Sequence, residues 1–258
     1  MEQSFVLKDN NKNIQFNYKN IIDGIELLNC IPDKSLKVIF FDPQYRGVLD
    51  KLDYGNEGQL KDKARSAIPQ MTDDIIHNFL AEIYRVLNKS GYLFLWIDKF
   101  HVCEGIKLWL KDFPDFNIVD LITWNKRKIG MGYRTRRTCE YLVVIQKTPT
   151  LAKKTWVLHN IPDVWDEKVK KTHPHSKPIG LQTQLILATT NKGDFICDPA
   201  SGGFSVFECC KLTNRNFIGG DIKSYDDYDV NTLMEEKYKR EEELSGQINM
   251  FESIENMQ

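Results

Sequence analysis

Several features that define other classes of protein are absent from this chain of 258 residues. No apolar run approaches the roughly 18 residues that a membrane-spanning helix needs, so we expect neither a membrane span nor a membrane partner. Residues 1–20 are polar and mixed in charge, which predicts no signal peptide and a cytoplasmic location.

The six cysteines lack the spacing of a metal site or of a disulfide framework. Cys209 and Cys210 are adjacent, and the other four lie in separate apolar segments, which predicts reduced thiols in a cytosolic protein. The histidines also lack the spacing of ligands, so we expect no bound metal.

The net charge of −1 conceals two segments of opposite sign. Residues 221–258 contain 11 acidic and 4 basic residues, whereas residues 125–137 contain six basic residues and no acidic one. A charged segment can be simply a solvated surface, but a basic loop with glycines is also typical of a segment that follows DNA phosphates. The six candidates for DNA binding are Lys126, Arg127, Lys128, Arg134, Arg136 and Arg137.

Apolar runs alternate with amphipathic segments, which predicts an α/β fold with a doubly wound, mostly parallel sheet and helices on both faces. The polar segment 46–70 is predicted to be a long, mobile loop. Predicted strands cover 14–18, 36–41, 92–97, 118–124, 141–146, 195–197 and 217–222. Predicted helices cover 24–31, 72–87 with Thr72 as its N-cap, 103–113, 179–189 and 204–212.

A loop of small residues follows the predicted strand at 195–197 and precedes a predicted helix. Its residues are Asp198, Pro199, Ala200, Ser201, Gly202 and Gly203. Small residues let a ligand approach the backbone, and Asp221 at the end of the next strand suits a ribose diol. The loop has neither the Gly-x-Gly-x-x-Gly of nicotinamide enzymes nor a Gly-Lys-Ser/Thr triplet. It therefore predicts a nucleoside-containing cofactor of another kind.

A second polar loop, Asp42-Pro43-Gln44-Tyr45, follows the buried strand 36–41. The exocyclic amine of a nucleobase is a poor nucleophile because its lone pair is delocalised into the ring. An enzyme that alkylates this amine must accept its protons and hold it in a fixed position. A carboxylate and a backbone carbonyl can accept the protons, and an aromatic ring can stack on the base. The loop therefore predicts a pocket for a flat, polar substrate.

Residues 14–223 resemble the β class of amino-group DNA methyltransferases, which use S-adenosylmethionine. In that class an Asp-Pro-Pro-Tyr-type motif precedes the glycine motif, as it does here. Three further segments are similar to segments of the class: 23–28 with 31–35, 123–126 with 140–142, and 173–178, which matches His-Pro-x-x-Lys-Pro.

The resemblance implies a role for each motif residue. Asp42 and the carbonyl of Gln44 would accept the amine protons, and Tyr45 would stack on the base. The cofactor would lie against the loop 198–203, with Asp221 at its ribose, Asp23 near its adenine, and Lys177 and Pro178 at its methionine end. The chain departs from the class at Gln44, where proline is usual, at Ala200, where phenylalanine is usual, and at Gly203-Phe204, where Ser-Gly is usual.

The implied activity is methylation of the N6 amine of adenine at specific sites in double-stranded DNA, after base flipping. Methylation of N4 of cytosine is the closest alternative, because aspartate at the first motif position favours adenine only statistically. RNA or protein glutamine is less expected, since those relatives usually carry asparagine there and the reverse motif order. The departures at Gln44 and in the glycine motif motivate a different class of alternative, a DNA-binding relative without turnover.

We predict one catalytic domain over residues 1–230 and a charged tail over 231–258. The domain would contain the mobile loop 46–70, the basic loop 125–137 and a short recognition segment 148–172, which would share DNA recognition. Double-stranded DNA is the expected partner. The resemblance would also allow a homodimer and a cognate restriction endonuclease as protein partners.

Overall fold

The computed structural model describes residues 5–8, 11–44, 71–130, 134–169 and 176–222. These residues form a mixed sheet with helices on both faces. The strands are β1 Asn20–Ile21, β2 Leu36–Phe41, β3 Leu87–Ile97, β4 Phe116–Gly130, β5 Arg137–Lys147, β6 Val164–Asp166, β7 Phe195–Asp198 and β8 Asn216–Asp221. The helices are α1 Gly24–Asn29, α2 Asp73–Val86, α3 Lys99–Glu104, α4 Lys107–Leu110, α5 Ala152–Thr155, α6 Ile179–Thr189 and α7 Ser205–Thr213.

The strands lie in the order β1-β8-β7-β2-β3-β5-β4-β6. The first five strands of this order are parallel, while β5 is antiparallel to both β3 and β4, and β6 is parallel to β4. The predicted doubly wound, mostly parallel sheet is therefore confirmed. Strand β2 lies between β7 and β3, so the order of the strands reverses direction next to β2. Open α/β sheets bind their ligands at the carboxyl end of the strands at such a point.

Strand β2 shows why the sheet is covered on both faces. Successive side chains of a strand point to opposite faces. Val38 and Phe40 enter a core shared with α6 and α7, whereas Ile39 and Phe41 enter a core shared with α1 and α2. All four are at most 1% exposed, so both faces of the strand demand apolar residues.

The helices that flank the site begin close to where the sequence predicts. The Thr72 hydroxyl oxygen accepts a hydrogen bond from the N–H of Ile75 at 3.3 Å, which caps α2 as predicted. Helix α2 then buries residues at three- and four-residue spacing, and α6 covers the predicted range 179–189. Within the described residues, no helix is long and apolar enough to cross a membrane.

Two sequence-based elements are wrong. Residues 14–18 form no strand, because Asn13 and Asn17 adopt left-handed φ values of 53° and 54°, and the Asn20 amide hydrogen-bonds the backbone of Gln15 at 2.9 Å. The predicted helix 103–113 is interrupted at Gly105, whose φ of 98° lies outside helical geometry. The chain forms the two short helices α3 and α4 instead.

The predicted basic loop 125–137 is largely a β-hairpin. Strand β4 continues to Gly130, which pairs with Arg137, the first residue of β5. The predicted recognition segment 148–172 also gains regular structure, since it contains α5 and β6, and β6 pairs with β4. The described residues belong to one compact unit, Met1–Lys223. Outside the described residues lie the predicted loop 46–70, the tail 231–258 and the domain boundary at 230.

Candidate active site

Three carboxylates lie at the carboxyl ends of three adjacent strands. Asp42 directly follows β2, Asp198 ends β7 and Asp221 ends β8. Because these strands are parallel and neighbours in the sheet, the two predicted motifs meet at one edge. Tyr45 of the first motif lies outside the described residues.

Hydrogen bonds join the glycine loop and Asp221 into one unit. The Asp198 carboxyl accepts the N–H of Ala200 at 3.3 Å, and its backbone carbonyl accepts the Ser201 hydroxyl at 2.7 Å. Gly202 has a φ of 48° and donates its N–H to an Asp221 oxygen at 2.9 Å. The positive φ at Gly202 suits glycine, and the turn it makes fixes the carboxylate predicted to hold a ribose.

Helix α1 begins against the same loop. A Cβ atom on Gly24 would lie 2.1 Å from the Pro199 carbonyl oxygen, so only glycine permits this approach. The preceding residue, Asp23, caps α1 by accepting the N–H groups of Ile25 at 2.9 Å and Glu26 at 3.2 Å. The structure therefore brings Asp23 beside the glycine loop.

The departure at position 204 has a structural account. Phe204 adopts a φ of 57°, a left-handed conformation in which the glycine usual for the class carries no steric cost. Here the phenyl ring is buried and packs edge-on against Phe217 at 6.3 Å, with the Lys19 ammonium 5.7 Å from its centre. Packing of the ring offsets the backbone cost, and the loop retains its turn.

A chain of ion pairs begins at Asp42. The Lys177 ammonium contacts an Asp42 oxygen at 2.9 Å and a Glu140 oxygen at 2.9 Å. The other Glu140 oxygen contacts the Lys126 ammonium at 3.1 Å. The Lys177 ammonium also lies 4.8 Å from the centre of the buried Trp96 ring. Lys177 therefore contacts the motif predicted to be catalytic, and Glu140 is a neighbour of this motif that the sequence did not single out.

The charges in this chain stabilise one another. Burial alone would raise the pKa of Glu140, but the positive charges of Lys177 and Lys126 lower it to about 2. Burial alone would lower the pKa of Lys177, but the charges of Asp42 and Glu140 raise it above its ordinary value. Glu140 is consequently ionised and Lys177 protonated near neutral pH, which argues against Lys177 as a general base.

Asp198 has the opposite electrostatic character. Burial raises the pKa of its carboxyl well above the ordinary value of 3.8, and the charges of Asp42 and Asp221 raise it further. Hydrogen bonding by the Ala200 N–H and the charge of Lys177 act against this rise. A buried carboxyl beside two others suits a cationic ligand. In the described part of the chain, no group of three or more potential ligands could hold a metal ion.

Pro43 and Gln44 of the predicted catalytic motif are described as well. Pro43 is buried, and the Gln44 carbonyl accepts the N–H of Met71 at 2.7 Å. This bond ties the motif to Met71, which precedes the N-cap of α2. A carbonyl oxygen has two lone pairs, so the Gln44 carbonyl has room for a second donor besides the Met71 N–H. Its acceptance of an amine proton stays a prediction.

The six predicted DNA-binding residues occupy different environments. Lys126 is part of the ion-pair chain, and the Arg127 guanidinium lies 3.7 Å from Asp166. The Arg137 guanidinium lies 5.5 Å from the centre of the Phe100 ring, next to the carboxyl end of β3. Exposed side chains remain at Lys128, Arg134 and Arg136.

Glu167 holds the segment that carries Lys177 and Pro178. Its carboxylate accepts the N–H groups of Gly180 at 3.0 Å and Leu181 at 3.1 Å, at the start of α6, and the Trp165 indole N–H at 2.7 Å. The predicted recognition segment thus supplies the cap of a helix, because a carboxylate neutralises the unpaired N–H groups and the positive end of the helix.

We expect Glu167→Ala to lower the free energy of unfolding by about 2 kcal/mol, because three partly buried donors lose their acceptor. Urea denaturation followed by circular dichroism measures this change. The matched control is Glu208→Ala in the first turn of α7, where the glutamate is exposed and pairs only with Lys211 among the described residues. Equal effects of the two substitutions would contradict the capping role.

This arrangement, an α/β sheet with paired motifs at its carboxyl edge, defines a Rossmann-like methyltransferase fold. The model of the family described as DNA methylase, covering N6 and N4 methylases, matches residues 36–228. The chain belongs to this family and is a DNA methyltransferase. It is 65% identical over 212 residues to the type II methyltransferase M.HhaII of Haemophilus parahaemolyticus, a match that covers 82% of this chain and 93% of the relative.

Solved structures share the fold at low sequence identity. The cytosine-N4-specific PvuII DNA methyltransferase matches with a TM-score of 0.58 and 18% identity, covering 80% of this chain and 81% of the other. M1.HpyAVI in complex with S-adenosylmethionine matches with a TM-score of 0.55 and 19% identity, covering 79% and 92%. These likenesses confirm the predicted fold class.

Proposed function

We propose that this DNA methyltransferase transfers the methyl group of S-adenosylmethionine to the N6 amine of adenine at specific sites in double-stranded DNA. The observation that carries the proposal is the meeting of Asp42 with the unit formed by the glycine loop and Asp221. A carboxylate that can accept amine protons thereby lies beside a loop suited to a nucleoside cofactor. The type II designation of M.HhaII supports site specificity.

The residues at this edge fit S-adenosylmethionine. Asp221 would accept hydrogen bonds from the ribose hydroxyls, and Asp23 would lie near the adenine. The loop from Asp198 to Gly203 would contact the ligand through its own backbone. The three carboxylates suit its two positive charges, on sulfur and on the amino group. When bound, this cofactor supplies an electrophilic methyl group, and the structure of M1.HpyAVI shows that a protein of this fold binds it.

The chain's own part in the reaction is chiefly positioning. Asp42 and a backbone carbonyl of its motif would accept the amine protons and align the nitrogen lone pair with the methyl carbon. With S-adenosylmethionine bound, this alignment would let the nitrogen take the methyl group as sulfur leaves with the bonding electrons, and one amine proton would then pass to solvent. Flipping the base out of the duplex costs roughly a few kcal/mol, which stacking and groove contacts offset.

Mass spectrometry of nucleosides from DNA treated with the protein tests the target. N6-methyladenine is the expected product, and N4-methylcytosine would transfer the proposal to cytosine, the target of the PvuII enzyme of the same fold. Aspartate at position 42 favours adenine by resemblance to the family. Cofactor and DNA binding by calorimetry without either product would favour a binding protein without turnover.

The hairpin of β4 and β5 is proposed to contact DNA phosphates through its exposed arginines. We expect Arg134→Gln combined with Arg136→Gln to make the slope of log K against log salt less negative by about 1.8, since each phosphate contact contributes about 0.9. Fluorescence anisotropy across a salt series measures the slope. Lys211→Gln, at an exposed position of α7, is the control and should leave the slope unchanged. An unchanged slope in the arginine variant would mean that the hairpin faces away from DNA.

We propose a cytoplasmic enzyme that works beside a cognate restriction endonuclease, as the type II designation of M.HhaII suggests. A homodimer is the assembly we propose to test by sedimentation. The proposed catalytic domain spans residues 1–230, with the charged tail 231–258 beyond it.

A further inference from the structure

Lys177 is oriented from three sides by groups on three different elements. Its ammonium contacts Asp42 after β2 and Glu140 on β5, each at 2.9 Å, and faces the Trp96 ring on β3 at 4.8 Å. An ammonium has three N–H donors, so two carboxylates and one ring face account for all three. The side chain is only 12% exposed. The resemblance places Lys177 at the methionine end of the cofactor, whereas the geometry places its charge on the catalytic carboxylate.

Glu140 has both of its carboxylate oxygens engaged. One contacts Lys177 at 2.9 Å and the other contacts Lys126 at 3.1 Å. Positive and negative groups therefore alternate from Asp42 through Lys177 and Glu140 to Lys126. A partly buried ion pair is stable only when its remaining donors and acceptors are also satisfied, and Lys126 meets this requirement for Glu140. Among the described residues, the ion pairs of the Glu140 carboxylate are with these two lysines, so its charge acts on Asp42 through Lys177.

The carboxylate of an aspartate rotates readily about its χ2 bond, because that torsion has a broad energy well. Contact of Lys177 with one Asp42 oxygen selects a single orientation of the carboxylate plane. A carboxylate accepts up to about four hydrogen bonds, so Asp42 can accept the amine of a base at the same time. A displacement of about 1 Å at such a site can slow a reaction about 100-fold.

Building on the proposed function, we infer that Glu140 and Lys177 are positioning residues for methyl transfer. Glu140 fixes the Lys177 ammonium, and Lys177 fixes the plane of the Asp42 carboxylate that accepts the amine proton. Neither residue exchanges a proton with the base. Their contribution is to the rate of transfer at a given occupancy of cofactor and DNA.

The test is a double-mutant cycle read by single-turnover methylation at saturating DNA and S-adenosylmethionine. We expect Lys177→Met to slow transfer about 50-fold and Glu140→Gln about 10-fold. Because Glu140 acts through Lys177, the double variant should be no slower than Lys177→Met alone. The affinities for cofactor and for DNA, measured separately by calorimetry and anisotropy, should stay within about threefold of the unaltered protein.

Two further sets of variants separate positioning from damage to the fold. Lys177→Arg keeps the charge and can donate to both carboxylates, so we expect a rate within about fivefold of the unaltered protein. The exposed ion pair of Glu208 and Lys211, 3.1 Å long, provides the control cycle, Glu208→Gln and Lys211→Met, with no expected change in rate. If Lys177→Met does not fold, Glu140→Gln and Lys177→Arg still compare rate with affinity.

Three results would overturn the inference. They are losses that multiply in the double variant to about 500-fold, full activity of Glu140→Gln, and a fall in cofactor affinity in place of a fall in rate. Failure of the proposed function is seen separately, because the unaltered protein would then form no N6-methyladenine. If it forms N4-methylcytosine, the same cycle is measured on that product.

Discussion

Replacing Asp42 by alanine should reduce methyl transfer about 1,000-fold while leaving cofactor binding intact. The substitution removes the carboxylate that is expected to accept the amine protons, and preorganised groups of this kind each contribute about 100- to 1,000-fold to a rate. It also leaves Lys177 with Glu140 as its remaining carboxylate partner among those the structure describes. Single-turnover methylation with radiolabelled cofactor measures the rate, and calorimetry measures cofactor affinity.

The design includes a control for the loss of an aspartate as such. Asp112→Ala removes an exposed carboxylate that pairs with His77 at 3.1 Å, far along the chain from the site motifs. This variant should methylate DNA at the rate of the unaltered protein. An Asp42→Ala protein that retains more than a tenth of the activity would remove Asp42 from the catalytic role and with it the basis of the proposed function.

The elements that position Asp42 and the glycine loop could be predicted because each depends on local sequence. The bounds of β2 and α6 coincide with the predicted ranges 36–41 and 179–189, in which apolar residues predominate, and α2 begins after the polar cap Thr72. Burial on both faces makes a parallel strand visible as a continuous apolar run. The neighbourhood of Asp42 and Asp198 followed from the rule that ligands bind at the carboxyl ends of such strands.

The hairpin and the ion-pair chain could not be predicted in the same way. Strand β4 continues past Trp124 into a basic stretch whose pairing with β5 depends on the partner strand rather than on its own apolar pattern. Lys177 and Glu140 are 37 residues apart in sequence, and nothing local to either indicates the contact. The available signal was Glu140 itself, a lone carboxylate at the beginning of an apolar strand. A carboxylate needs a cation when it is buried.

Replacing Asp198 by asparagine should stabilise the protein without ligand and weaken S-adenosylmethionine binding at least about 100-fold. Asparagine keeps an oxygen for the Ala200 N–H, which lies 3.3 Å from the Asp198 carboxyl, and the bond from Ser201 goes to the backbone carbonyl, so the turn is retained. What the substitution removes is a buried carboxyl whose ionisation is opposed by desolvation and by Asp42 and Asp221.

The stabilising effect of Asp198→Asn on the free energy of unfolding should depend on pH. The pKa of Asp198 in the folded protein lies above its ordinary value of 3.8, so between these two values the folded state binds more protons than the unfolded state. The contribution of Asp198 to the free energy of unfolding therefore falls as pH rises through this interval. Asp198→Asn lacks that fall, so its advantage should be small near pH 4 and reach about 1 kcal/mol or more at pH 8.

Ligand binding should reverse the effect in the unaltered protein. A cationic ligand beside Asp198 lowers the pKa of the carboxyl, so binding of S-adenosylmethionine should release a proton at pH values below the raised pKa and tighten as pH increases. Calorimetry in buffers of different ionisation enthalpy counts the proton, and Asp198→Asn should release none at this site. If the variant binds cofactor with unaltered affinity and the same proton release, Asp198 does not face the cation. The carboxyl that destabilises the empty protein is, on this account, the group through which the site selects a positively charged methyl donor.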